Sequence, residues 1–414
     1  MTQEQLFAAA LMVSPPWFIS DINFDPTKGR LDISIDFERG SSFHYESPTE
    51  KIAGDFKAYD TVEKTWRHLN FFQFECYLHA FVPRLDIGNG QARLITTPWE
   101  GKVPGFTLLM EAFILQFAKH MPVHQVGKLI KVSDGRIWRL LKHYVELARA
   151  QQDLSDLTHF GVDETAVLRG HKYVSLFVDL IGRKTVFVTE GKGAEVMKVF
   201  ATEVIAKKGS PDNVQVISQD MSPAFQAGAR DHFPKAKIVF DRFHIMKMIN
   251  EALDTVRKAE TRDNPVLKKS RMSLLKNEEN LTKDQKAKLE EIKMQKVELK
   301  TARAWRMKCR FQEIYSSLTK GQFEDELKEW LSWVIHSNIV PMKAVARTIQ
   351  RHWEGIINWM TFSVSNGILE GMNSVFQAAK AKARGYGTIE TIKTIIYLLT
   401  GKFDFRQVNP ALPT

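Results

Sequence analysis

Three carboxylates stand where the sequence pattern lets them act together. Asp163 closes the strand-like run LTHFGVD, and Asp220 closes NVQVISQD. Open sheets present ligands at the carboxyl ends of their strands, so two aspartates there become neighbours if their strands lie side by side. Glu370 lies in SNGILEGMNSVFQAAKAKARG, a helical stretch where Ser365, Asn366 and Gly367 offer a cap and Gly371 leaves room for close approach. Such a set suits metal-assisted displacement at a phosphodiester. Negative charge develops on the attacking and leaving oxygens, and two Mg²⁺ ions about 3.5–4 Å apart stabilise both. Mg²⁺ takes hard oxygen ligands and keeps several waters, so a few carboxylates suffice. One aspartate would bridge both ions, while the other aspartate and the glutamate would each hold one. An ordinary reading stands beside this, because an aspartate at a strand end is commonly a turn former or helix cap. Glu164 and Asp179 compete for the same role. The joint pattern of two strand-end aspartates and a helical glutamate in a basic chain singles out the three.

The surrounding elements must hold them. LTHFGVD, KYVSLFVDL and RKTVFVTE read as three consecutive strands, the last two joined at Gly182. A helix (AEVMKVFATEVIAKK), a strand (NVQVISQD), a helix capped by Ser222, a strand (AKIVFD) and a long helix from Arg242 follow. The order β-β-β-α-β-α-β-α predicts an RNase H-like core over 157–258. A doubly wound sheet would alternate from the start. Strands then stop. Residues 259–362 read as a helical insertion in which Lys and Arg outnumber Asp and Glu between Arg257 and Arg310. KNEENLTKDQKAKLEEIKMQK reads as a solvated helix pair or a coiled arm, and Lys268, Lys269 and Arg271 are candidate DNA contacts. Trp330, Trp333, Trp353 and Trp359 mark a return to packed helices. Residues 363–414 then complete the core with the Glu370 helix and a C-terminal helix.

Upstream, residues 1–103 read as a β-rich module. Leu31, Ile33, Ile35 and Phe37 alternate with polar residues, as do Phe74, Cys76, Leu78, Ala80 and Val82, with Pro26, Gly29, Gly40, Gly88 and Gly90 at turns. Residues 104–150 turn helical, with Ser133 as an N-cap and Asp134 in the first turn. The last helix carries Arg136, Trp138, Arg139 and Lys142, as the second helix of a helix-turn-helix does, which makes Arg136, Arg139 and Lys142 candidate DNA contacts. A plain helical hairpin with a solvated basic face is an equal reading.

The 414 residues carry a formal net charge of +10, with 44% hydrophobic and 26% charged residues. That is a soluble chain of two or three domains whose charge favours polyanions, nucleic acid first. Two distant cysteines, Cys76 and Cys309, exclude a disulfide framework and a four-cysteine zinc site. The first residues lack the basic and apolar regions of a signal peptide, and no apolar run is long enough to span a membrane. The expectation is a cytoplasmic, nucleoid-associated protein.

TWRHLNFFQFECYLHAFVPR, GVDETAVLRGHKYVSLFVDL, VISQDMSPAFQAGARDHFPKAKIVFDRFHI and SNGILEGMNSVFQAAKAKARGY together resemble bacterial insertion-sequence transposases of the ISL-three family, a DDE group. The resemblance runs from about Thr65 to Phe403. It implies that Asp163, Asp220 and Glu370 are the catalytic, metal-binding triad. It also implies a Mg²⁺ cofactor with Mn²⁺ as substitute, DNA ends and target as substrates, and a homodimer or larger assembly on DNA. The long gap from Asp220 to Glu370 is what a helical insertion produces. Asp241 and His244 in VFDRFHI match a D-x-x-H signature and either support the site or serve as a helix cap and a core histidine. His171 in RGHKY either reaches DNA or is structural. Family members carry a cysteine zinc ribbon, with pairs before WRHL and after VPR. Here those places read FHYESPTEKIAGD and LDIGNG, so no structural zinc is expected and Trp66, Phe71, Phe72 and Phe74 should hold a zinc-ribbon-like module without its ligands. Gly387 stands where an arginine is more usual.

Three functions compete. An active transposase would bind terminal inverted repeats, cut, and join the freed 3′-hydroxyl to target DNA. A domesticated relative would keep the fold and bind DNA without cutting. Another RNase H-like nuclease would prefer RNA or branched DNA.

Overall fold

A computed structural model describes residues 2–88, 91–168, 172–295, 299–362 and 367–412. The chain forms two compact units, Met1–Gln151 with Gln377–Thr414, and Gln152–Phe376.

The first unit opens with α1 (Gln3–Leu11), followed by β1 (Trp17–Asp25), β2 (Arg30–Phe37), β3 (Ser42–Ser47), β4 (Ile52–Phe71), β5 (Phe74–Asp86) and β6 (Ala92–Leu94). The sheet order is β1-β2-β5-β4-β3, with β6 on β5. Alternation decides its faces: Leu31, Ile33 and Ile35 on β2 and Cys76, Leu78, Ala80 and Val82 on β5 are buried, while their polar neighbours stay at the surface. Trp66 is buried against Trp99, which also meets Trp17 edge-on. Phe71 and Phe74 pack partly, but Phe72 is 79% exposed and lies outside the core. It occupies the β4–β5 turn with φ of 53°, where the chain reverses away from the apolar face. Of the expected turn glycines, Gly29, Gly40 and Gly88 have positive φ, while Gly90 lies outside the described residues.

Three helices follow: α2 (Leu108–His120), α3 (Val123–Ile130) and α4 (Asp134–Ala150). The α3–α4 turn is tight because Lys131 takes a left-handed conformation and Gly127 has no side chain. A Cβ at Gly127 would stand 2.7 Å from the Val132 carbonyl oxygen. Ser133 holds the N-cap position of α4 without a side-chain hydrogen bond. Glu111, fully buried on α2, accepts from the Lys102 and Val103 amides and is also bonded by the Tyr144 hydroxyl, which ties the preceding loop to α4.

The second unit begins with β7 (His159–Leu168), β8 (Lys172–Asp179), β9 (Lys184–Glu190), α5 (Ala194–Ala206), β10 (Val216–Gln219), α6 (Pro223–His232), β11 (Lys237–Phe240) and α7 (Arg242–Glu260). The sheet order is β11-β10-β7-β8-β9, with β7, β8 and β9 antiparallel and β10 parallel to both β7 and β11. One face packs Phe160, Val162 and Phe177 against α5 and α6, with Phe177 and Phe200 stacked at 4.2 Å. The other face brings Val178, Leu180, Val216 and Val239 together with Leu369.

After β11 the described residues are helical: α8 (Arg271–Leu275), α9 (Lys283–Lys293), α10 (Lys300–Ile314), α11 (Lys320–Ile335), α12 (Val340–Arg351) and α13 (Trp353–Phe362), around one apolar cluster with α7. The charged stretch from Lys276 yields neither a helix pair nor a coiled arm. It holds a single turn and the short α9, anchored by Leu289 and Ile292. Trp330 is buried and donates to the Met307 carbonyl, whereas Trp333 is exposed. Then come α14 (Gly367–Lys382) and α15 (Ile389–Thr400). The segment 363–414, expected to complete the core as one piece, is divided. Residues 377–414 cluster with the first unit, where α15 packs along α4 and the Arg149 guanidinium lies over the Tyr397 ring at 4.5 Å. The apolar side of α15 matches α4, a preference that its own sequence does not reveal. No helix among the described residues is long and apolar enough to cross a membrane.

Candidate active site

Asp220 directly follows β10, as its sequence position implies, but Asp163 does not end its strand. β7 runs on to Leu168 because β8 continues to pair with it, Asp163 standing opposite Leu176. The neighbour that stops is β10. Its last ladder pair with β7 is Ser218 with Gly161, and two further residues set Asp220 level with Asp163. Gln219 pairs with Phe240, so Asp241 is next to Asp220 in the same row. Three aspartates thus line one sheet edge on three parallel strands.

Asp163 is half-buried. Burial raises its pKa above the ordinary carboxylate value; Asp241 and Asp220 push it the same way, while the Glu164 amide, at 2.8 Å from Oδ1, and His244 oppose this. Its Oδ2 accepts from Asn373 Nδ2 at 2.5 Å. Asp220 Oδ1 accepts from the Ser222 amide at 2.9 Å, so the aspartate rather than the Ser222 side chain binds the opening of α6. Glu370, in the first turn of α14, is more open to solvent, yet partial desolvation, then Asp241 and Asp163, raise its pKa against the pull of His244. Ser365 and Asn366, expected as its caps, lie outside the described residues, as does His171. A Cβ at Gly371 would meet nothing within 4 Å, so no close approach of protein requires that glycine.

Asp241 caps α7, accepting from the Phe243 amide at 2.8 Å, and His244 Nε2 stands 3.7 Å from its Oδ2. Asp241 is thus the helix cap, while His244 is half-buried rather than a core histidine, and both lie within electrostatic reach of Asp163 and Glu370. Asp179 is a turn former whose Oδ1 accepts from the Ile181 and Gly182 amides, both at 3.0 Å. Glu164 stays near, its pKa raised by burial and then by Asp220. As donors, the triad offers only carboxylate oxygens, which fit a hard divalent cation. Among the described residues no three His, Cys, Asp or Glu side chains are already drawn into a chelating group. Asp163 and Asp220 are instead occupied by the hydrogen bonds just given.

The candidate DNA contacts differ in their freedom. Arg136 is half-buried, its guanidinium 4.1 Å from the Phe106 ring centroid and bonded to the Gly105 carbonyl at 3.3 Å. Arg139 and Lys142 are exposed on α4, Lys142 near Glu146 at 3.8 Å. Lys268 and Lys269 are exposed, and Arg271 pairs with Asp254 at 3.5 Å.

Residues 160–396 match the family model for the DDE region of the ISL3 group, described as "Transposase". The chain belongs to the ISL3 transposase family. Residues 97–145 match the "Helix-turn-helix domain of transposase family ISL3", which covers α2, α3 and most of α4 and implies DNA as the partner of this transposase. Curated relatives include the transposase for insertion sequence element IS1001 of Bordetella parapertussis, 25% identical over 360 residues, spanning 83% of this chain and 87% of the relative. The transposase for insertion sequence element IS1557 of Mycobacterium tuberculosis is 23% identical over 388 residues, spanning 84% and 85%. Asn373 and Thr165 are neighbours of this transposase's acidic residues that the motifs alone do not single out. The signal was available in spacing: Asn373 is one helical turn beyond Glu370, and Thr165 is two strand positions beyond Asp163.

Proposed function

We propose that this transposase binds the terminal inverted repeats of its element and cuts and joins DNA with Asp163, Asp220 and Glu370 on an RNase H-like core. The observation that carries the reading is the register that sets Asp220 beside Asp163, with the Glu370 helix packed through Leu369 on the same sheet face. The strand order, three antiparallel strands followed by two parallel ones, supports the RNase H-like assignment over 157–258. Residues 259–362 form the helical insertion within it. When bound, Mg²⁺, for which Mn²⁺ substitutes, supplies the positive charge that stabilises the attacking and leaving oxygens. The triad carboxylates hold that charge in place, Asp241 adds to the negative field, and His244 balances it. Water first and then the freed 3′-hydroxyl act as nucleophiles.

In this reading α4 is the recognition helix, and the exposed Arg139 and Lys142 face DNA. The N-terminal sheet is a zinc-ribbon-like module held by its apolar core, with Cys76 buried inside it and Cys309 in the other unit. Two ends must be joined, so the working form is a dimer or larger, acting on the bacterial nucleoid. The test is cleavage of a labelled fragment bearing the element's own end with Mg²⁺ or Mn²⁺. Wild type should cut, while Asp163→Asn, Asp220→Asn and Glu370→Gln bind the end without cutting. A wild type that binds but never cuts, or a variant that cuts normally, overturns the assignment.

A further inference from the structure

We propose that Asn373 is a positioning residue of this site, tying Asp163 on β7 to the helix that carries Glu370; the inference rests on the triad reading above. Asn373 follows Glu370 by three residues, so both lie on one side of α14. Its Nδ2 donates to Asp163 Oδ2 at 2.5 Å, and its Oδ1 accepts from Thr165 Oγ1 at 2.6 Å. Thr165 is buried and, two residues from Asp163, shares its strand face.

An ionised carboxylate only accepts hydrogen bonds. The amide must therefore turn its nitrogen to Asp163, which leaves its oxygen to Thr165, whose hydroxyl donates. The amide orientation is thus set from both sides. Asp163 Oδ1 takes the Glu164 amide, so each carboxylate oxygen has one anchor and keeps acceptor capacity for a cation. One stride back, Gly161 lies so close to Leu369 that any Cβ would collide with it. Alternate positions of β7 therefore meet α14 at Leu369 and Asn373, on either side of Glu370. These contacts bear on the separation of the two acidic groups.

The test uses the full chain and Mn²⁺ alone, with binding followed by electron paramagnetic resonance, alongside end cleavage and thermal midpoint. Outer-shell partners of metal ligands typically govern about 10–100-fold in affinity or activity. Asn373→Ala should weaken Mn²⁺ binding within that range, and raising Mn²⁺ should recover part of its cleavage. Thr165→Val should show a smaller loss of the same kind, and Thr165→Ser should restore binding. The double variant should be no worse than Asn373→Ala, because Thr165 acts through Asn373. Asn373→Ser, which keeps a donor, replaces the alanine variant if that fails to fold, with a smaller expected loss. Wild-type Mn²⁺ affinity in a folded Asn373 variant, with or without a lowered midpoint, overturns the proposal, as does full additivity of the two losses. If wild type binds no Mn²⁺, or Asp163→Asn binds it normally, the triad reading itself fails.

Discussion

Burial holds a proton on Asp163 more tightly in the folded chain than in an unfolded one, and partial burial does the same at Glu370. For a carboxylate with a raised folded pKa, the stabilising contribution belongs to low pH and is lost as pH rises through the folded value. Ionising Asp163 and Glu370 without a cation therefore costs stability near neutral pH. Asp163→Asn should melt above wild type near neutral pH in chelator, and the gap between the two midpoints should widen as pH rises above about 4. Added Mg²⁺ should reverse the order, stabilising wild type and leaving the variant nearly unchanged. Thermal scans with and without Mg²⁺ across that range check both halves. A variant less stable than wild type in chelator would mean that the carboxylate is held by its hydrogen bonds more strongly than it is opposed by its surroundings.

The docking of α14 on β7 is the element-scale contact that the site depends on, and Gly161 is its narrowest point. Gly161→Ala should cost about 1–3 kcal/mol through overpacking, and it should depress cleavage further by lifting the helix that carries Glu370. Leu369→Ala in the same chain should return part of the activity, because it vacates the space that the new methyl needs; melting and end cleavage on the two variants measure this. The periodicities of β2, β5 and the strands from β7 to β11 were legible because each buries one face or both, and alternation or apolar runs record that burial. Asp220 was placed at a strand end for the same reason, since β10 could be delimited, whereas the end set at Asp163 is not where β7 stops. What was not legible is pairing. β7 outruns Asp163 because β8 accompanies it, and α15 joins α4 instead of the Asp163 sheet, and neither partner is written in the segment itself. Charge counting has the same blindness. Lys308 adds to the basic excess before Arg310, yet it is 1% exposed and donates to the carbonyls of Leu274, Leu275 and Lys276 at the end of α8. Lys308→Met should destabilise the helical insertion by about 1–3 kcal/mol, the cost of orphaned buried carbonyls, and leave DNA affinity of the folded fraction unchanged. A loss of affinity with unaltered melting would place that amine on DNA instead.

Across the whole molecule, the net charge of +10 favours polyanions, and attraction to phosphate carries no sequence information. In the proposed function, preference for an end rests on base contacts, and the first unit holds the helix-turn-helix that can make them. The two sets of exposed cations should therefore fail differently. Arg139→Ala with Lys142→Ala should reduce the preference for end DNA over random duplex. Removing one base-reading side chain costs about 1–3 kcal/mol, roughly 5- to 150-fold. Lys268→Ala with Lys269→Ala, in the second unit, should weaken binding to both duplexes alike. It should also flatten the salt dependence by about one unit of slope for each phosphate no longer neutralised. Titrations of both variants on both duplexes over a salt series separate the cases. A preserved end preference in the α4 variant would remove α4 as the base reader, and an unchanged slope in the insertion variant would show that those lysines face solvent. Arg136 supplies the contrast. Because its guanidinium is spent on Phe106 and the Gly105 carbonyl, Arg136→Lys should lower the melting midpoint before it alters the choice of DNA.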